Sequence, residues 1–186
     1  LSLAFFLFQY IIWNLLNLYI KVKQSGLSLL VKRFTFWVTG LVVIQIVYGA
    51  FMAGMRAGWG FNTYPKMGDV WLPEAALTHI PFYLNFFENP VMIQFVHRSL
   101  GALLLVGVFL LWVMIEKNVS ILLHKKLVRI IVFVVSIQFL LGIGTLVWKV
   151  PLLFAIAHQF GALVLLTVMI GLNHALRWEY KSKSDV

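Results

Sequence analysis

The sequence predicts an all-α membrane protein with five transmembrane helices, the last four forming a pseudo-twofold four-helix bundle of two helical hairpins. Three observations predict it. Of 186 residues, 62% are hydrophobic and 11% charged, against about 45–50% apolar and about 25% charged in soluble domains. Five apolar stretches each reach the roughly 20 residues that a spanning helix needs. Two pairs of these stretches also repeat each other. The mean hydropathy of +0.94 excludes a water-soluble globule, and a membrane β-barrel would show short alternating segments instead.

The stretches run from Leu1 to Ile20, Phe34 to about Met55, Pro90 to Ile115, Leu127 to Trp148, and Pro151 to about Leu176. Helices are the only spanning form open to separate segments. The second and fourth contain glycines, which membrane helices use for close packing. The chain starts inside an apolar run without a Met, so it is expected to be part of a longer one; no basic n-region or cleavage site marks a signal peptide. With no cysteine in these residues, disulfides, thiolate metal sites, iron–sulfur clusters and cysteine nucleophiles are excluded from them.

Loop charge sets the orientation. Lys21, Lys23, Lys32 and Arg33 lie in the first loop, and Lys117, Lys125, Lys126 and Arg129 flank the third against Glu116. Arg177, Lys181 and Lys183 follow the last span. In the second loop, Arg56 and Lys66 are offset by Asp69, Glu74 and Glu88, and the fourth has only Lys149. The positive-inside rule makes the first and third loops and the tail cytoplasmic or its organellar equivalent. The net charge of +9 thus belongs to loops at a lipid surface, and no nucleic-acid partner is expected.

The outer loop, 56–89, carries Trp59, Phe61, Tyr64, Trp71, Phe82, Tyr83, Phe86 and Phe87. Two readings stand: an interfacial aromatic belt, or a lid over something held at the outer face. PEAALTHIPFYLNFF suits a short interfacial helix.

The repeat aligns IQIVYGA at Ile44–Ala50 with IQFLLGI at Ile137–Ile143, placing Gln45 over Gln138 and Gly49 over Gly142. The following segments, PVMIQFVHRSLGALLL from Pro90 and PLLFAIAHQFGALVLL from Pro151, also match. In each, a histidine (His97, His158) lies seven residues after the proline, and a glycine (Gly101, Gly161) follows. Two hairpins of the same orientation imply a pseudo-twofold axis along the membrane normal, with the first segment outside the repeat.

A histidine inside a spanning helix is costly and points to a site facing the bundle interior. At about 1.5 Å rise per residue, His97 and His158 lie about 10 Å from the outer helix ends. Two imidazoles without intramembrane carboxylates or thiols suit zinc poorly, since it prefers four protein ligands. They suit the two axial positions of a planar macrocycle that supplies four nitrogens to iron. Gly101 and Gly161 would let such a ring approach the backbone. The competing reading is that each histidine merely hydrogen-bonds a neighbouring helix; the repeat-equivalent positions favour ligation. His79, His124 and His174 rank below them, with solvated or interfacial roles. Gln45 and Gln138 suit either acceptors for the second ring nitrogens or interhelical hydrogen-bond glue. Arg56, Lys66 and Arg98 suit charge-assisted donors to propionates; Arg98, about 100° around the helix from His97, is not itself a ligand.

Here the sequence resembles a known family. AGMRAGWGFNTYPKMGDVWLP, with FENPVMIQFVHRSLGALLL and AHQFGALVLL, is similar to the carboxy-terminal half of the heme A synthases over most of the chain from Phe34 onward. The resemblance implies eight spanning helices in two similar halves, of which this chain looks like the last helix of the first half plus the whole second half. It implies an enzyme that oxidises the C8 methyl of heme O to formyl, making heme A. It also implies a prosthetic heme b held by the two histidines that match His97 and His158, as metal ligands. The family's substrate-heme histidines and catalytic glutamate belong to the first half; the first segment here contains neither His nor Glu, so no catalytic residue is assigned.

The expected division is 1–33 as the last helix of an amino-terminal half plus a linker, 34–176 as the heme-binding bundle, and 177–186 as a cytoplasmic tail. The competing function is a non-enzymatic b-type cytochrome subunit for membrane electron transfer, passing electrons between a quinol and a partner; four helices with in-core ligands suit either. A transporter is disfavoured because no midplane Gly/Pro interruption is present. The expected partners are heme O, membrane lipid and an electron donor the sequence does not name, and a homo-oligomer stays open. A bacterial plasma membrane is preferred to a mitochondrial inner membrane because the loops are compact.

Overall fold

A computed structural model describes residues 2–19, 22–24 and 28–180. Lys21, Lys181 and Lys183 lie outside the described residues. Five long helices dominate: α1 (Ser2–Tyr19), α2 (Leu29–Gly54), α4 (Pro90–Asn118), α5 (Leu122–Val147) and α6 (Leu152–Arg177), with a single-turn α3 (Asn85–Glu88) before α4. All five long helices are apolar enough to cross a membrane; at about 1.5 Å per residue, 26 residues reach about 39 Å, beyond the roughly 30 Å of hydrocarbon. Lipid-facing side chains such as Phe133, Leu140 and Phe160 are correspondingly exposed. The protein is a multi-pass membrane protein.

The four helices α2, α4, α5 and α6 form a closed ring. Hairpin partners α2 and α4 pack together, as do α5 and α6, while α4 on α5 and α2 on α6 complete the circuit. This leaves α4 and α6 on one diagonal and α2 and α5 on the other. Helix α1 lies outside the ring against α6 and α2, where Gln9 donates to Thr167 Oγ1 at 3.0 Å.

The bundle is solid at its inner half and open at its outer half. Val31, Val38, Val42, Val108, Leu111, Ile115, Val128, Ile131, Met169 and Leu172 interlock at the inner half as one buried cluster. Interhelical polar contacts add to it: Asn173 donates to Thr39 Oγ1 at 2.7 Å, and Glu116 accepts from Arg129 Nε at 2.7 Å, with Trp112 of its own helix donating to the same carboxylate at 3.2 Å. Such bonds contribute about 0.6 kcal/mol each on average in membranes. The inner-end histidines correct their sequence reading. His124 and His174 are buried; the ring Nε2 of His124 is 2.9 Å from Ala175 O, and that of His174 is 3.1 Å from Asn17 Oδ1. Helix packing with a polar partner in reach removes them from the interface.

Short strands β1 (Val22–Gln24) and β2 (Trp178–Tyr180) pair antiparallel at this inner end, so part of the tail joins the first loop. The outer loop is not one interfacial helix. It folds as 3-10 turns at Ala57–Trp59, Glu74–Leu77 and Phe82–Leu84, followed by α3. Pro81 sets the break, because it lacks an N–H and biases Ile80 away from helical backbone. Buried Asn85 ties the pieces together, donating to His79 O and Phe82 O and accepting from His79 N. Asn89 then caps α4, its Oδ1 accepting from Val91 N and Met92 N with Pro90 at the first helical position, where the missing N–H costs nothing.

Candidate functional site

In the outer half a mostly apolar cavity of about 310 Å³ opens between the helices, with Gln45, His97, Gln138 and His158 among its lining. It is walled by all four ring helices and by the outer loop, with Phe5 of α1 on its rim. His97 enters from α4 and His158 from α6, across the diagonal of the ring. Their ring centres are 6.4 Å apart with planes at 81°, and Nδ1 of each is buried without a complete hydrogen bond. Among the described residues, no three His, Cys, Asp or Glu side chains cluster as a closed metal site.

Each histidine is seated by its hairpin partner in the same way. A Cβ on Gly49 of α2 would stand 3.4 Å from His97 Cε1, and one on Gly142 of α5 would stand 3.1 Å from His158 Cε1. The glutamine side chains reciprocate. The Gln45 amide donates to His97 O at 3.1 Å and lies 3.4 Å from His97 Nε2. It rests over Gly101, whose Cβ would stand 3.3 Å from it, as the Gln138 amide rests on Gly161. Gly101 lines the cavity but Gly161 does not. The glycines singled out for a flat ligand thus make room first for the glutamine amides. Gly49 and Gly142, visible in the repeat, are the glycines against the histidines; their equivalence was the available signal.

Arg98 also lines the cavity, but its guanidinium is engaged. It donates to Phe61 O at 2.6 Å, Thr63 O at 2.7 Å and Lys66 O at 3.2 Å, while Gln94 donates to Phe61 O at 3.0 Å. This side chain clamps the FNTYPK segment across the cavity mouth. Asn62 holds the same segment to the end of α5, donating to Leu146 O at 2.8 Å. Arg56, in left-handed backbone with φ 52, is exposed and lines the mouth. The α5–α6 turn closes the far side: Val150, at φ 59, presses its Cγ2 to 2.9 Å from where a Gly58 Cβ would lie. A β-branched residue at positive φ is rare and costly, so the fold holds Val150 there against local preference.

Four apolar helices around a paired-histidine cavity, with a fifth packed outside them, define a class: a multi-pass helical membrane protein with a two-histidine pocket under an outer loop. Within that class, the chain belongs to the COX15-CtaA family of cytochrome oxidase assembly proteins, whose model matches residues 1–170. It is 41% identical over 147 residues to a protein named heme A synthase COX15 from Arabidopsis thaliana, covering 79% of this chain and 32% of that one. It is 34% identical over 162 residues to heme A synthase from Bartonella henselae (87% and 45%), and 35% identical over 170 residues to heme A synthase COX15 from Homo sapiens (89% and 41%). The chain therefore spans less than half the length of these curated relatives. No solved structure matches it significantly.

Proposed function

We propose that this chain is the prosthetic-heme portion of a heme A synthase, holding a heme b between His97 and His158 for electron transfer while the whole protein oxidises the C8 methyl of heme O to formyl. The observation that carries the reading is the 6.4 Å between the two imidazole centres. A metal–imidazole bond is about 2 Å, and each bonding nitrogen lies about 1 Å from its ring centre, so two axial imidazoles on one metal stand about 6 Å apart. The buried, unpartnered Nδ1 atoms and the absence of a third protein ligand among the described residues fit a group that brings its own four equatorial nitrogens. The relatives are named for heme A synthesis; oxidation of heme O is what the family resemblance implies.

When bound, a six-coordinate heme supplies one-electron chemistry without an open position for oxygen. The residues of this chain do the rest. His97 and His158 would hold the group between them. The aliphatic inner core below and the Arg98-clamped loop above exclude water, which strengthens every electrostatic contact in the pocket. Arg56 and Lys66, both exposed on the outer loop, are the donors proposed for the propionates. Gly101 and, through its seat for Gln138, Gly161 are proposed to keep the helix backbones close. Arg98 binds the group only indirectly, by holding the loop.

Pigment analysis tests the reading. In cells supplied with heme O, the full-length protein should make heme A, and the 186-residue chain should bind heme yet convert none. Heme A from the short chain would move the substrate site into these residues. Heme binding with no heme A from the full-length protein would favour a plain b-type electron carrier.

A further inference from the structure

We propose, on the reading of the two histidines as axial ligands, that Gln45 is a positioning residue: it caps Nε2 of His97, so that His158 ligates first and His97 closes the second position by displacing the Gln45 amide. A carboxamide nitrogen donates and does not accept. The Gln45 nitrogen donates to His97 O at 3.1 Å, which fixes the end of the amide that faces α4. The same nitrogen lies 3.4 Å from His97 Nε2, so the ring nitrogen is the acceptor in that contact. It presents its lone pair, and the ring proton sits on Nδ1. Gln45 Oε1 is buried without a partner, so the donor side alone holds the amide. At 3.4 Å the contact is long for a hydrogen bond, and a metal that bonds the lone pair can displace it.

The repeat places no matching cap on His158, and the sequence contains the reason. Gly101 follows His97 by four residues, whereas Gly161 follows His158 by three. At 3.6 residues per turn, the two glycines lie about 40° to one side and about 60° to the other side of their histidines. Each glutamine amide goes to its glycine. That of Gln45 rests over Gly101, which lines the cavity; that of Gln138 rests on Gly161, which does not. Among the described residues, no side chain donates to the His158 ring. His158 therefore meets a metal with its lone pair free, and His97 with its lone pair in use. When His97 ligates, the contact from the Gln45 N–H to Nε2 is exchanged for a bond from Nε2 to the metal. The ring proton stays on Nδ1, so closing the second position releases no proton and needs no base.

The test uses the full-length protein in bilayers, prepared without heme. Histidine ¹⁵N spectra, with His97 assigned by its loss in His97→Ala, should show Nε2 unprotonated and Nδ1 protonated. Gln45→Leu and Gln45→Met keep the bulk and remove the donor, and both should abolish this preference; Gln138→Leu should leave His158 unchanged. A His97 signal that neither Gln45 variant alters overturns the proposal. Hemin is then mixed with the single-ligand variants, each referred to the double variant His97→Ala/His158→Ala so that binding elsewhere cancels. Association should be about 3–10-fold slower in His158→Ala, where only the capped histidine remains, than in His97→Ala, a factor matching one net hydrogen bond. Adding Gln45→Leu should remove the deficit in His158→Ala and change nothing in His97→Ala. Equal rates in the two single-ligand variants, or a deficit that survives Gln45→Leu, also overturn the proposal. Retention of the six-coordinate spectrum in both His97→Ala and His158→Ala would instead overturn the ligand reading, and the heme-free spectra would still decide whether Gln45 caps His97.

Discussion

His97 and His158 face each other across the diagonal of the bundle with ring centres 6.4 Å apart, each lying against a glycine of its own hairpin partner, Gly49 or Gly142. This places the pair on helices that do not pack directly on one another, so whatever joins the histidines also ties the two hairpins together. Replacing either histidine with Ala should abolish a low-spin, six-coordinate optical and EPR signature and reduce heme retention by more than about 100-fold, since even outer-shell losses reach that range. The other three histidines are held elsewhere, His79 beside Thr78 and Asn89 in the outer loop, His124 at Ala175 and His174 at Asn17. An unaltered spectrum in either variant would rule out the pair as ligands.

The reciprocal glycines should differ in cost. A Cβ at Gly161 would run into the Gln138 amide, whereas one at Gly101 stands 3.3 Å from the Gln45 amide. Gly161→Ala should therefore destabilise by about 1–3 kcal/mol, the usual range for overpacking, and Gly101→Ala by less than about 1 kcal/mol. Combining Gly161→Ala with Gln138→Ala should recover most of the loss, giving a coupling energy of opposite sign and similar size in a double-mutant cycle. Chemical denaturation in detergent reads all three; additive losses would show that the amide does not sit on the glycine.

Arg98 predicts a loop phenotype. Hydrogen bonds from a charged donor are worth about 1.5–3 kcal/mol each, and this guanidinium makes three to the carbonyls of Phe61, Thr63 and Lys66. Arg98→Ala should raise local opening of residues 61–66 by roughly 2 kcal/mol or more, seen as at least about 30-fold faster amide exchange there. Arg98→Lys should recover only part of it, because one ammonium cannot reproduce the planar fork. Unchanged exchange in Arg98→Ala would mean that Asn62 and Gln94 suffice to hold the loop.

The spans, the repeat and the histidine pair were legible because lipid imposes simple rules: long apolar runs, satisfied backbone and costly polar side chains. The roles of Gly101 and Arg98 were less so. A glycine one turn beyond a histidine looks identical in sequence whether it faces a ligand or a glutamine amide, and only the rotation of α2 against α4 decides. Arg98 adjoins a candidate ligand, but its partners are backbone carbonyls 32–37 residues away, which leave no trace in residue type. His124 and His174 misled for a related reason: proximity to basic loops suggested an interface, while close packing of α1, α5 and α6 buries both rings.

The composition makes the orientation simple to test. The chain has no cysteine, so single cysteines can be added without a background. Lys32, Arg33, Lys117, Lys125, Lys126, Arg129 and Arg177 all fall at one end of the bundle, at the starts of α2 and α5 and the ends of α4 and α6. The loop that Arg98 clamps lies at the other. The positive-inside rule assigns the basic end to the cytoplasmic face, which puts the histidine cavity in the outer half of the membrane. Asp69→Cys, in the exposed outer loop, should react with an impermeant maleimide added to intact cells or right-side-out vesicles. Lys125→Cys, at the inner end of α5, should react only after the membrane is opened. Lys125 contacts Glu116 at 3.7 Å, but Arg129 holds the same carboxylate at 2.7 Å, so the substitution should leave the α4–α5 contact in place. Reversal of the two labelling patterns would invert the topology and bring the cavity to the cytoplasmic side. Labelling of both from one face would mean that α4 does not cross the membrane, and the four-helix ring would have to be abandoned.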